Sequence, residues 1–293
     1  MEVLLVSPFG YCSGVSAALS LAEKAKREAP GREVYLLGCP VHNELAIKSL
    51  SALGLRLLDG GKVDLEKAIL ALPSGSALVF SAHGHPRAWD DLAQRKGLSV
   101  YDATCPFVRQ NEALGKERNP LIYIGLPSHE EARAFLANCP HAYFYDAASG
   151  GGDWRQCPGS PSLIAQTTLS EEEVHDAEEE IAASFPGAVL LKGRCYATKE
   201  RQKAIREAAK DSDATIVLGS KSSNNSRKLQ EIAASFGPSY LCLDLGEVKA
   251  LPLEGYRKIA LASGASTPRE VYFQVRDYLS SLPPSPRMLF KAR

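Results

Sequence analysis

Short apolar runs alternate with longer amphipathic stretches along most of the chain. Each apolar run has four or five residues and ends in a loop rich in Gly, Pro, Ser, Cys or His, after which apolar residues recur with helical spacing. This alternation is typical of a strand followed by a helix. We predict strands at residues 3–7, 33–37, 77–81, 99–102, 121–124, 162–165, 188–191, 215–218 and 259–262.

The pattern repeats at an interval of about ninety residues. Cys12, Cys105 and Cys195 each follow the first strand of a cycle, and they lie 93 and 90 residues apart. Parallel strands need crossover helices, so we predict an α/β fold of three similar units in a pseudo-threefold trefoil. Ligands of such folds bind beyond the carboxyl ends of the strands, and nine polar loops would face one central cavity. The predicted divisions are 1–98, 99–187 and 188–282, with a C-terminal tail at 283–293.

Charge and composition narrow the class of protein. The 34 Lys and Arg residues balance 34 Asp and Glu residues, and the chain has no basic block. Nucleic-acid affinity depends on clustered cations, so the balance argues against a nucleic-acid partner and against a polybasic membrane patch. No apolar run approaches the roughly 18 residues of a membrane span, and the first residues do not resemble a secretion signal. We expect a cytoplasmic protein.

Seven cysteines in a chain without an export signal favour metal, cluster or catalytic use over a disulfide framework. Cys12, Cys105 and Cys195 lie between a strand end and a helix start, where the helix dipole favours a thiolate. One such cysteine alone would be interpreted as a buried structural residue. Three equivalent thiolates from distant loops suit an iron–sulfur cluster better than zinc, because structural zinc usually shows a C-x₂₋₄-C pair. The cysteines without this equivalence are interpreted as structural: Cys39, Cys139, Cys157 and Cys242.

The other loops carry neutral donors and little Lys or Arg. Imidazole, hydroxyl and amide groups at helix N-termini can hold a phosphate. The nucleotide-binding patterns G-x-G-x-x-G and G-x-x-x-x-G-K-[ST] are absent. Singly, each Ser or Asn could be a helix cap, each His a surface residue, and Glu131 a first-turn acid. The candidates are His42, His83, His129, Glu131, Thr167, Thr168, Ser222, Ser223, Asn224, Asn225 and Ser266.

Nine segments, in order from about Val6 to Tyr278, resemble the 4-hydroxy-3-methylbut-2-enyl diphosphate reductase family, also called IspH or LytB. The segments are P-F-G-Y-C-S-G-V (8–15), V-H-N (41–43), F-S-A-H-G (80–84), D-A-T-C-P (102–106), H-E-E (129–131), Q-T-T-L-S (166–170), C-Y-A-T (195–198), G-S-K (219–221) and G-A-S-T-P (264–268).

This resemblance implies an iron–sulfur oxidoreductase of isoprenoid biosynthesis by the methylerythritol phosphate route. The substrate would lose its hydroxyl reductively and give isopentenyl and dimethylallyl diphosphates, with electrons from a ferredoxin or flavodoxin. The matched positions imply one [4Fe–4S] cluster on Cys12, Cys105 and Cys195, with one open iron that can act as a Lewis acid. They imply proton delivery by Glu131 with Thr167 or Thr168, beside His129. They imply diphosphate binding by His42, His83, His129, Ser223, Asn224, Asn225 and Ser266.

The departures from the family pattern lie in the predicted substrate half of the site. Phe9 replaces the Arg of P-R-G-F-C, and Leu126 replaces the first His of G-H-x-G-H-P-E, which here reads G-L-P-S-H-E-E. Asn224 stands where a Ser is expected, residues 133–138 replace T-x-G-Q, and T-A-G-A-S reads A-S-G-A-S at 262–266.

Two alternatives stay open at this stage. One is a diverged [4Fe–4S] enzyme that acts on another small anion by reductive or desulfurising chemistry. The other is a non-catalytic protein, either an iron–sulfur redox sensor or a zinc-stabilised scaffold.

Overall fold

A computed structural model describes residues 1–191 and 195–283. Nearly all of the predicted tail, from 284 to 293, lies outside the described residues. The strands are β1 (Glu2–Leu5), β2 (Val34–Leu37), β3 (Leu55–Leu58), β4 (Ala77–Phe80), β5 (Ser99–Asp102), β6 (Leu121–Gly125), β7 (Tyr143–Asp146), β8 (Ser162–Ala165), β9 (Val189–Leu190), β10 (Ala214–Leu218), β11 (Ser239–Cys242) and β12 (Lys258–Ser263).

Helices follow most of these strands, and one 3₁₀ turn spans Trp154–Gln156. The helices are α1 (Ser13–Glu28), α2 (Glu44–Ala52), α3 (Leu65–Ala71), α4 (Ala88–Arg95), α5 (Pro106–Lys116), α6 (Glu130–Asn138), α7 (Glu171–Ser184), α8 (Tyr196–Lys210), α9 (Asn224–Ala234), α10 (Leu245–Lys249) and α11 (Arg269–Ser281). Among the described residues, no helix has both the length and the apolar content that crossing a membrane requires.

The chain divides into two compact units. The first unit comprises residues 1–12, 42–44 and 196 onward, and its sheet has the order β1-β12-β10-β11. The second comprises residues 13–41 and 45–195, with sheets of order β3-β2-β4-β5 and β7-β6-β8-β9. Neighbouring strands pair in parallel in all three sheets. The predicted α/β class with three similar parallel sheets is confirmed.

The strand that opens each predicted cycle pairs with a sheet built from another cycle. β5 pairs with β4, with Phe80 opposite Asp102, and β9 pairs with β8, with Leu163 opposite Leu190. β1 pairs in the same way with β12 at the other end of the chain. Sheet pairing therefore crosses the predicted divisions at 98/99 and 187/188, because those divisions follow the repeat along the chain rather than the hydrogen bonding between strands.

The apolar pattern does not predict β3, β7 and β11, each of which is an edge strand of its sheet. Each of these strands has one buried residue, whereas every residue of β2, β4, β6 and β10 is buried. A continuous apolar run marks a strand that is covered on both faces, and an edge strand does not need one.

Helix α7 begins with a capping box at Ser170. The Ser170 hydroxyl accepts a hydrogen bond from the Glu173 backbone N–H at 3.1 Å, and the Glu173 carboxylate accepts one from the Ser170 backbone N–H at 2.8 Å. This capping box satisfies backbone donors at the helix start. It fixes the end of the loop that carries Thr167 and Thr168.

Arg87 links the segment before α4 to β5 and α5. Its guanidinium donates hydrogen bonds to Glu112 at 3.1 and 3.2 Å and to Asp102 at 3.0 Å. Burial raises the pKa of Glu112, whose side chain is 8% exposed, but the hydrogen bonds and charges of Arg87 and Lys116 together outweigh burial and the pKa is lowered. The Asp102 carboxylate also accepts a hydrogen bond from the Thr104 backbone N–H at 2.9 Å. The network therefore fixes the turn that leads to Cys105.

We expect Arg87→Met to lower the free energy of unfolding by about 3 kcal/mol, because a buried carboxylate loses its main partner. Its matched control is Arg27→Met, which removes an exposed pair with Glu23 and should cost less than about 1 kcal/mol. The stability that comes from the lowered pKa of Glu112 is present near neutral pH and is lost as the pH falls through that pKa. The gap between wild type and Arg87→Met in urea unfolding should therefore narrow in acid. Equal losses for both variants would contradict the stabilising role of Arg87.

Candidate active site

Glu131 and Thr167 form a hydrogen-bonded pair in the second unit. Glu131 lies in the first turn of α6, after β6, and Thr167 lies in the loop after the neighbouring strand β8. The Glu131 carboxylate accepts hydrogen bonds from the Thr167 backbone N–H at 2.8 Å and from its hydroxyl at 2.7 Å. Adjacent parallel strands end at one edge of a sheet, and this brings the two predicted residues together.

The environment of Glu131 favours a protonated carboxyl. The residue is 2% exposed, and burial raises its pKa. The hydrogen bonds from Thr167 and the charge of His83 act in the opposite direction, yet the pKa stays above the ordinary glutamate value. A carboxyl of this kind carries a proton at a higher pH than an exposed glutamate and can deliver it to a bound molecule.

Thr168 contacts a different group from its neighbour Thr167. The Thr168 hydroxyl accepts a hydrogen bond from the Gln166 side-chain amide at 2.8 Å. The carbonyl oxygen of the same amide accepts one from the Leu126 backbone N–H at 3.0 Å. Of the two predicted threonines, Thr167 contacts the acid, and Thr168 braces the loop between β6 and α6.

His129 is the N-cap of α6. Its Nδ1 accepts a hydrogen bond from the Glu131 backbone N–H at 3.2 Å. A backbone N–H only donates, so Nδ1 carries no hydrogen and the hydrogen of the neutral ring lies on Nε2. His129 is therefore a neutral donor, with its ring edge-to-face against that of His83 at 5.6 Å between centroids.

His83 is paired with Glu130, a residue that the sequence pattern did not single out. His83 Nδ1 lies 3.1 Å from the Glu130 carboxylate, and the side chains are 16% and 21% exposed. Burial lowers the pKa of His83, but the hydrogen bond and charge of Glu130, with smaller contributions from Glu131 and the Cys39 backbone, raise it above the ordinary value. The signal for Glu130 was its place in H-E-E, where the family loop has Pro.

In the first unit, the start of α9 carries three of the predicted substrate residues. The Ser223 hydroxyl caps the helix by accepting from the Ser226 backbone N–H at 3.3 Å, and the Asn224 side-chain carbonyl accepts from Arg227 at 3.3 Å. Asn225 is 5% exposed, and within the described part of the chain both polar atoms of its amide lack a hydrogen-bond partner. A buried amide in this state is costly in the free protein and is suited to bind a polar ligand.

Two glycines allow the start of α9 to approach the strand ends. A Cβ on Gly219 or Gly264 would lie 2.3 or 2.1 Å from the Ser226 hydroxyl oxygen, which is closer than atoms can pack. These glycines follow β10 and β12, at the carboxyl edge of the sheet. The glycines of the G-S-K and G-A-S-T-P segments have no side chain and therefore leave room for Ser226, the residue after Asn225.

Ser266 and His42 also meet in the first unit. The Ser266 hydroxyl donates a hydrogen bond to the His42 backbone carbonyl at 3.0 Å. This bond holds the 42–44 segment against the loop after β12. It places two predicted substrate residues side by side.

The three equivalent cysteines share one local environment. Each is a partly buried thiol directly before a helix, since α1 begins at Ser13, α5 at Pro106 and α8 at Tyr196. The backbone N–H of Cys12 donates to Ala265 at 2.9 Å, and that of Cys105 donates to Ala82 at 3.0 Å. Thiols at these positions fit the sulfur ligands of an iron–sulfur centre.

The other cysteines differ in their surroundings. Cys139, Cys157 and Cys242 are buried, and burial raises the pKa of Cys139 and of Cys242 to about 11. The Cys39 thiol donates to the Val41 carbonyl at 3.0 Å. Buried protonated thiols behave as small apolar residues.

The departures from the family pattern have local structural partners. Phe9 stacks on Tyr272 with 4.4 Å between ring centroids, and the Arg269 guanidinium lies 5.8 Å from the Phe9 ring. A Cβ on Gly10 would lie 2.5 Å from the Arg269 side chain. Arg269 of α11 therefore lies beside Phe9, the position at which the family pattern has Arg.

Residues 133–138 continue α6. The side chain of the last residue of the helix, Asn138, accepts a hydrogen bond from the Arg87 backbone N–H at 2.8 Å and donates one to the His85 carbonyl at 2.9 Å. This segment anchors the end of the helix that carries Glu131.

Parallel α/β sheets, a buried acid beside two histidines, and thiols at helix starts fit an iron–sulfur oxidoreductase, the class to which the chain's relatives belong. The chain belongs to the LytB protein family, whose model it matches over residues 3–280. The family is iron–sulfur dependent. The resemblance found in the sequence is thereby confirmed.

Relatives and solved structures agree with this assignment. The chain is 33% identical to the 4-hydroxy-3-methylbut-2-enyl diphosphate reductase of Symbiobacterium thermophilum, over 95% of this chain and 97% of that one. It is also 33% identical to the reductase of the same name from Lysinibacillus sphaericus, over 95% and 88%. The structure of the E-1-hydroxy-2-methyl-but-2-enyl-4-diphosphate reductase from Plasmodium falciparum superposes with a TM-score of 0.83 at 28% identity, covering 96% of this chain and 89% of that one.

We expect Asn225→Leu to leave the free energy of unfolding unchanged or to raise it by up to about 1 kcal/mol, because the variant removes an unsatisfied buried amide. The matched control is Asn138→Leu, which removes an amide with both groups bonded and should cost about 2 kcal/mol. Urea unfolding of both variants checks this. A loss at Asn225 as large as that at Asn138 would show that the Asn225 amide has a structural partner.

Proposed function

We propose that this protein reduces 4-hydroxy-3-methylbut-2-enyl diphosphate to isopentenyl and dimethylallyl diphosphates in isoprenoid biosynthesis. Two relatives that are 33% identical to this chain are named for this activity, and the chain matches 97% and 88% of their lengths. The observation that carries the proposal is the buried Glu131 carboxyl held by Thr167. Loss of the hydroxyl as water and formation of the new C–H bond require two electrons and two protons in total, so a proton donor is needed inside the site.

The residues that would hold the cofactor are Cys12, Cys105 and Cys195, and the cofactor is proposed to be one [4Fe–4S] cluster with one iron open to the substrate. When bound, this group supplies the electrons and a Lewis acid for the departing oxygen. A ferredoxin or flavodoxin is the proposed electron donor. The predicted cytoplasmic location remains a prediction.

Glu131 is the proposed proton donor, with Thr167 as its partner. One Glu131 carboxyl oxygen lies 2.7 Å from the Thr167 hydroxyl, a group that can both donate and accept a hydrogen bond. A proton can therefore leave Glu131 directly or pass through this hydroxyl. Thr168 is assigned a bracing function through Gln166 rather than proton transfer.

The diphosphate is proposed to bind neutral donors together with His83, whose pKa is raised by Glu130 against the effect of burial. His129 offers an Nε2 hydrogen, and Asn225 offers an amide with no partner in the described part of the chain. These donors act beside helix N-termini, which favour anions. The diphosphate set is completed by His42, His83, Ser223, Asn224 and Ser266.

A second candidate keeps the cofactor but changes the substrate to another small anion. Phe9, Leu126 and Asn224 favour it, because each replaces a polar group of the family pattern near the diphosphate. Incubation of anaerobically prepared, reduced protein with 4-hydroxy-3-methylbut-2-enyl diphosphate separates the two candidates. Formation of isopentenyl and dimethylallyl diphosphates supports the first, and no product from protein with an intact cluster spectrum supports the second.

Glu131→Gln should leave the cluster spectrum unchanged and lower turnover by at least about 100-fold, because the amide holds the same space without an acidic proton. Glu172→Gln, at an exposed position in the first turn of α7, is the matched control and should retain wild-type turnover. Turnover and the visible spectrum are measured on the same preparations. Equal activity of the two variants would mean that another group is the acid.

Thr167→Val and Thr168→Val compare neighbouring threonines with different partners. Hydrogen bonding by Thr167 lowers the pKa of Glu131, so its removal should raise that pKa further. The acid must be protonated, so turnover falls as pH rises through the pKa, and this fall should move to higher pH in Thr167→Val. The Thr168 variant should keep the wild-type profile. Identical shifts in both variants would contradict the assignment.

A further inference from the structure

We propose that Tyr123 is a positioning residue for the proton donor, and that its buried hydroxyl stabilises the Glu131 carboxylate that remains after the proton has left. The proposal rests on the proposed function and deepens it by naming a further partner of the acid. Tyr123 lies inside β6, where the surrounding apolar run is typical of a core strand and gives no sign of a role in the site.

The hydroxyl end of the Tyr123 ring lies at the carboxyl edge of the sheet. A Cβ on Gly125, the last residue of β6, would lie 2.8 Å from Cε1 of Tyr123, the ring carbon next to the one that carries the hydroxyl. The same Cβ would lie 3.4 Å from Ala132, the residue that follows Glu131 in α6. Glycine at position 125 therefore leaves room for the end of the ring at the edge where Glu131 meets Thr167.

The packing of the ring does not account for the hydroxyl. Tyr123 is fully buried, and its ring stacks on Phe135 with 4.1 Å between centroids, a contact that a phenylalanine would make equally well. The hydroxyl oxygen has no hydrogen-bond partner in the part of the chain that the structure describes. A buried hydroxyl in this state destabilises the folded protein, so its presence needs an explanation other than stability.

The Glu131 carboxyl is the polar group that acts on this hydroxyl. Burial raises the pKa of Tyr123 well above its ordinary value, and the charge of Glu131 raises it further. Burial also raises the pKa of Glu131 and outweighs three groups that lower it, which are Thr167 from the loop after β8, His83 from the loop after β4, and Tyr123 from β6. Glu130, the neighbour of Glu131 on α6, pairs with His83. A phenol O–H therefore faces the acid in addition to the two bonds from Thr167.

The hydroxyl becomes a hydrogen-bond donor to the acid when the acid loses its proton. As Glu131 gives its proton to the bound molecule, directly or through Thr167, its O–H bond breaks and the electron pair stays on the carboxylate. The negative charge then remains in a buried site. Tyr123 can donate a hydrogen bond to that charge without adding a charge of its own. Hydrogen bonding to the charged form of an acid lowers its pKa and favours loss of the proton.

The test compares Tyr123→Phe with wild type in the cluster-loaded enzyme between about pH 5.5 and pH 9. Phenylalanine keeps the ring and removes only the hydroxyl. The infrared carbonyl band of a protonated carboxyl reports the titration of Glu131 without any turnover, and Glu131→Gln, which lacks that carboxyl, identifies the band. Urea unfolding, together with kcat and KM for 4-hydroxy-3-methylbut-2-enyl diphosphate, is measured on the same preparations.

Tyr145→Phe is the matched control, because Tyr145 is also a buried tyrosine of the second unit. It lies on β7, the strand that pairs with β6, and its hydroxyl donates to Glu180 at 2.6 Å. Neither residue belongs to the candidate active site. This variant loses a hydrogen bond that the folded protein makes, so it should unfold at a lower urea concentration than wild type and keep the wild-type pH profile.

We expect Tyr123→Phe to unfold at the same urea concentration as wild type or at a higher one, because no hydrogen bond of the free protein is lost. The Glu131 band should titrate at higher pH than in wild type, and the fall in turnover with rising pH should move in the same direction. On the acidic plateau kcat should fall by about tenfold, the rate equivalent of one hydrogen bond to a charged group, while KM changes less than about twofold.

If Tyr123→Phe does not fold, 3-fluorotyrosine at position 123 decides the question. Fluorine makes the phenol a stronger hydrogen-bond donor, so the Glu131 band and the pH profile should both move to lower pH. Unchanged titration of the band would contradict the proposal.

An unshifted Glu131 band in Tyr123→Phe would likewise overturn it. A loss of stability equal to that of Tyr145→Phe, with the wild-type pH profile, would indicate a purely structural role and would overturn it too. A shifted band in a protein whose wild type forms neither isopentenyl nor dimethylallyl diphosphate would contradict the proposed function alone, because the band reports the action of the hydroxyl on Glu131 directly. The absence of both the shift and wild-type turnover would overturn both.

Discussion

The two hydrogen bonds from Thr167 to Glu131 are the interaction on which the chemistry of the second unit depends. A carboxylate that is 2% exposed would be strongly destabilised without partners, and with many partners it would be fully ionised. Thr167 supplies two bonds, enough to fix both oxygens but not enough to cancel the effect of burial on the pKa. The result is an acid that is held in one place and whose pKa lies above the ordinary glutamate value.

The start of α6 organises the two histidines beside it. The Glu131 backbone N–H donates to His129 Nδ1 and fixes its tautomer, and the Glu130 carboxylate pairs with His83 and raises its pKa against the effect of burial. Two histidines with ring centroids 5.6 Å apart therefore have different hydrogen-bond partners, a backbone N–H for His129 and a carboxylate for His83. A chain with no net charge can bind a diphosphate in this way, by a few donors with defined hydrogens rather than by clustered Lys and Arg.

The sequence predicted those features that depend on local pattern. Central strands such as β4 and β6 are buried throughout, and their apolar runs stand out. The edge strands β1, β5 and β9 were predicted because each precedes one of the equivalent cysteines, whereas the edge strands β3, β7 and β11 have neither signal. The membership of β5 and β9 in their sheets depends on non-local pairing, which periodicity along the chain does not encode. The distinction between Thr167 and Thr168 likewise depends on loop geometry, because both are hydroxyl residues in the same turn. Glu130 was not predicted because its neighbour Glu131 matched the family pattern and it did not.

In the first unit, Asn225 is a buried polar side chain that suits ligand binding better than it suits stability. Its amide is buried with both groups lacking a partner in the described residues, and the close packing of Ser226 against Gly219 and Gly264 leaves little freedom at the start of α9. If stability alone had shaped this position, an apolar residue of similar size would serve at least as well. The amide is therefore explained by a ligand that completes its hydrogen bonds. Because the packing holds it in place before binding, little ordering is required when the ligand arrives.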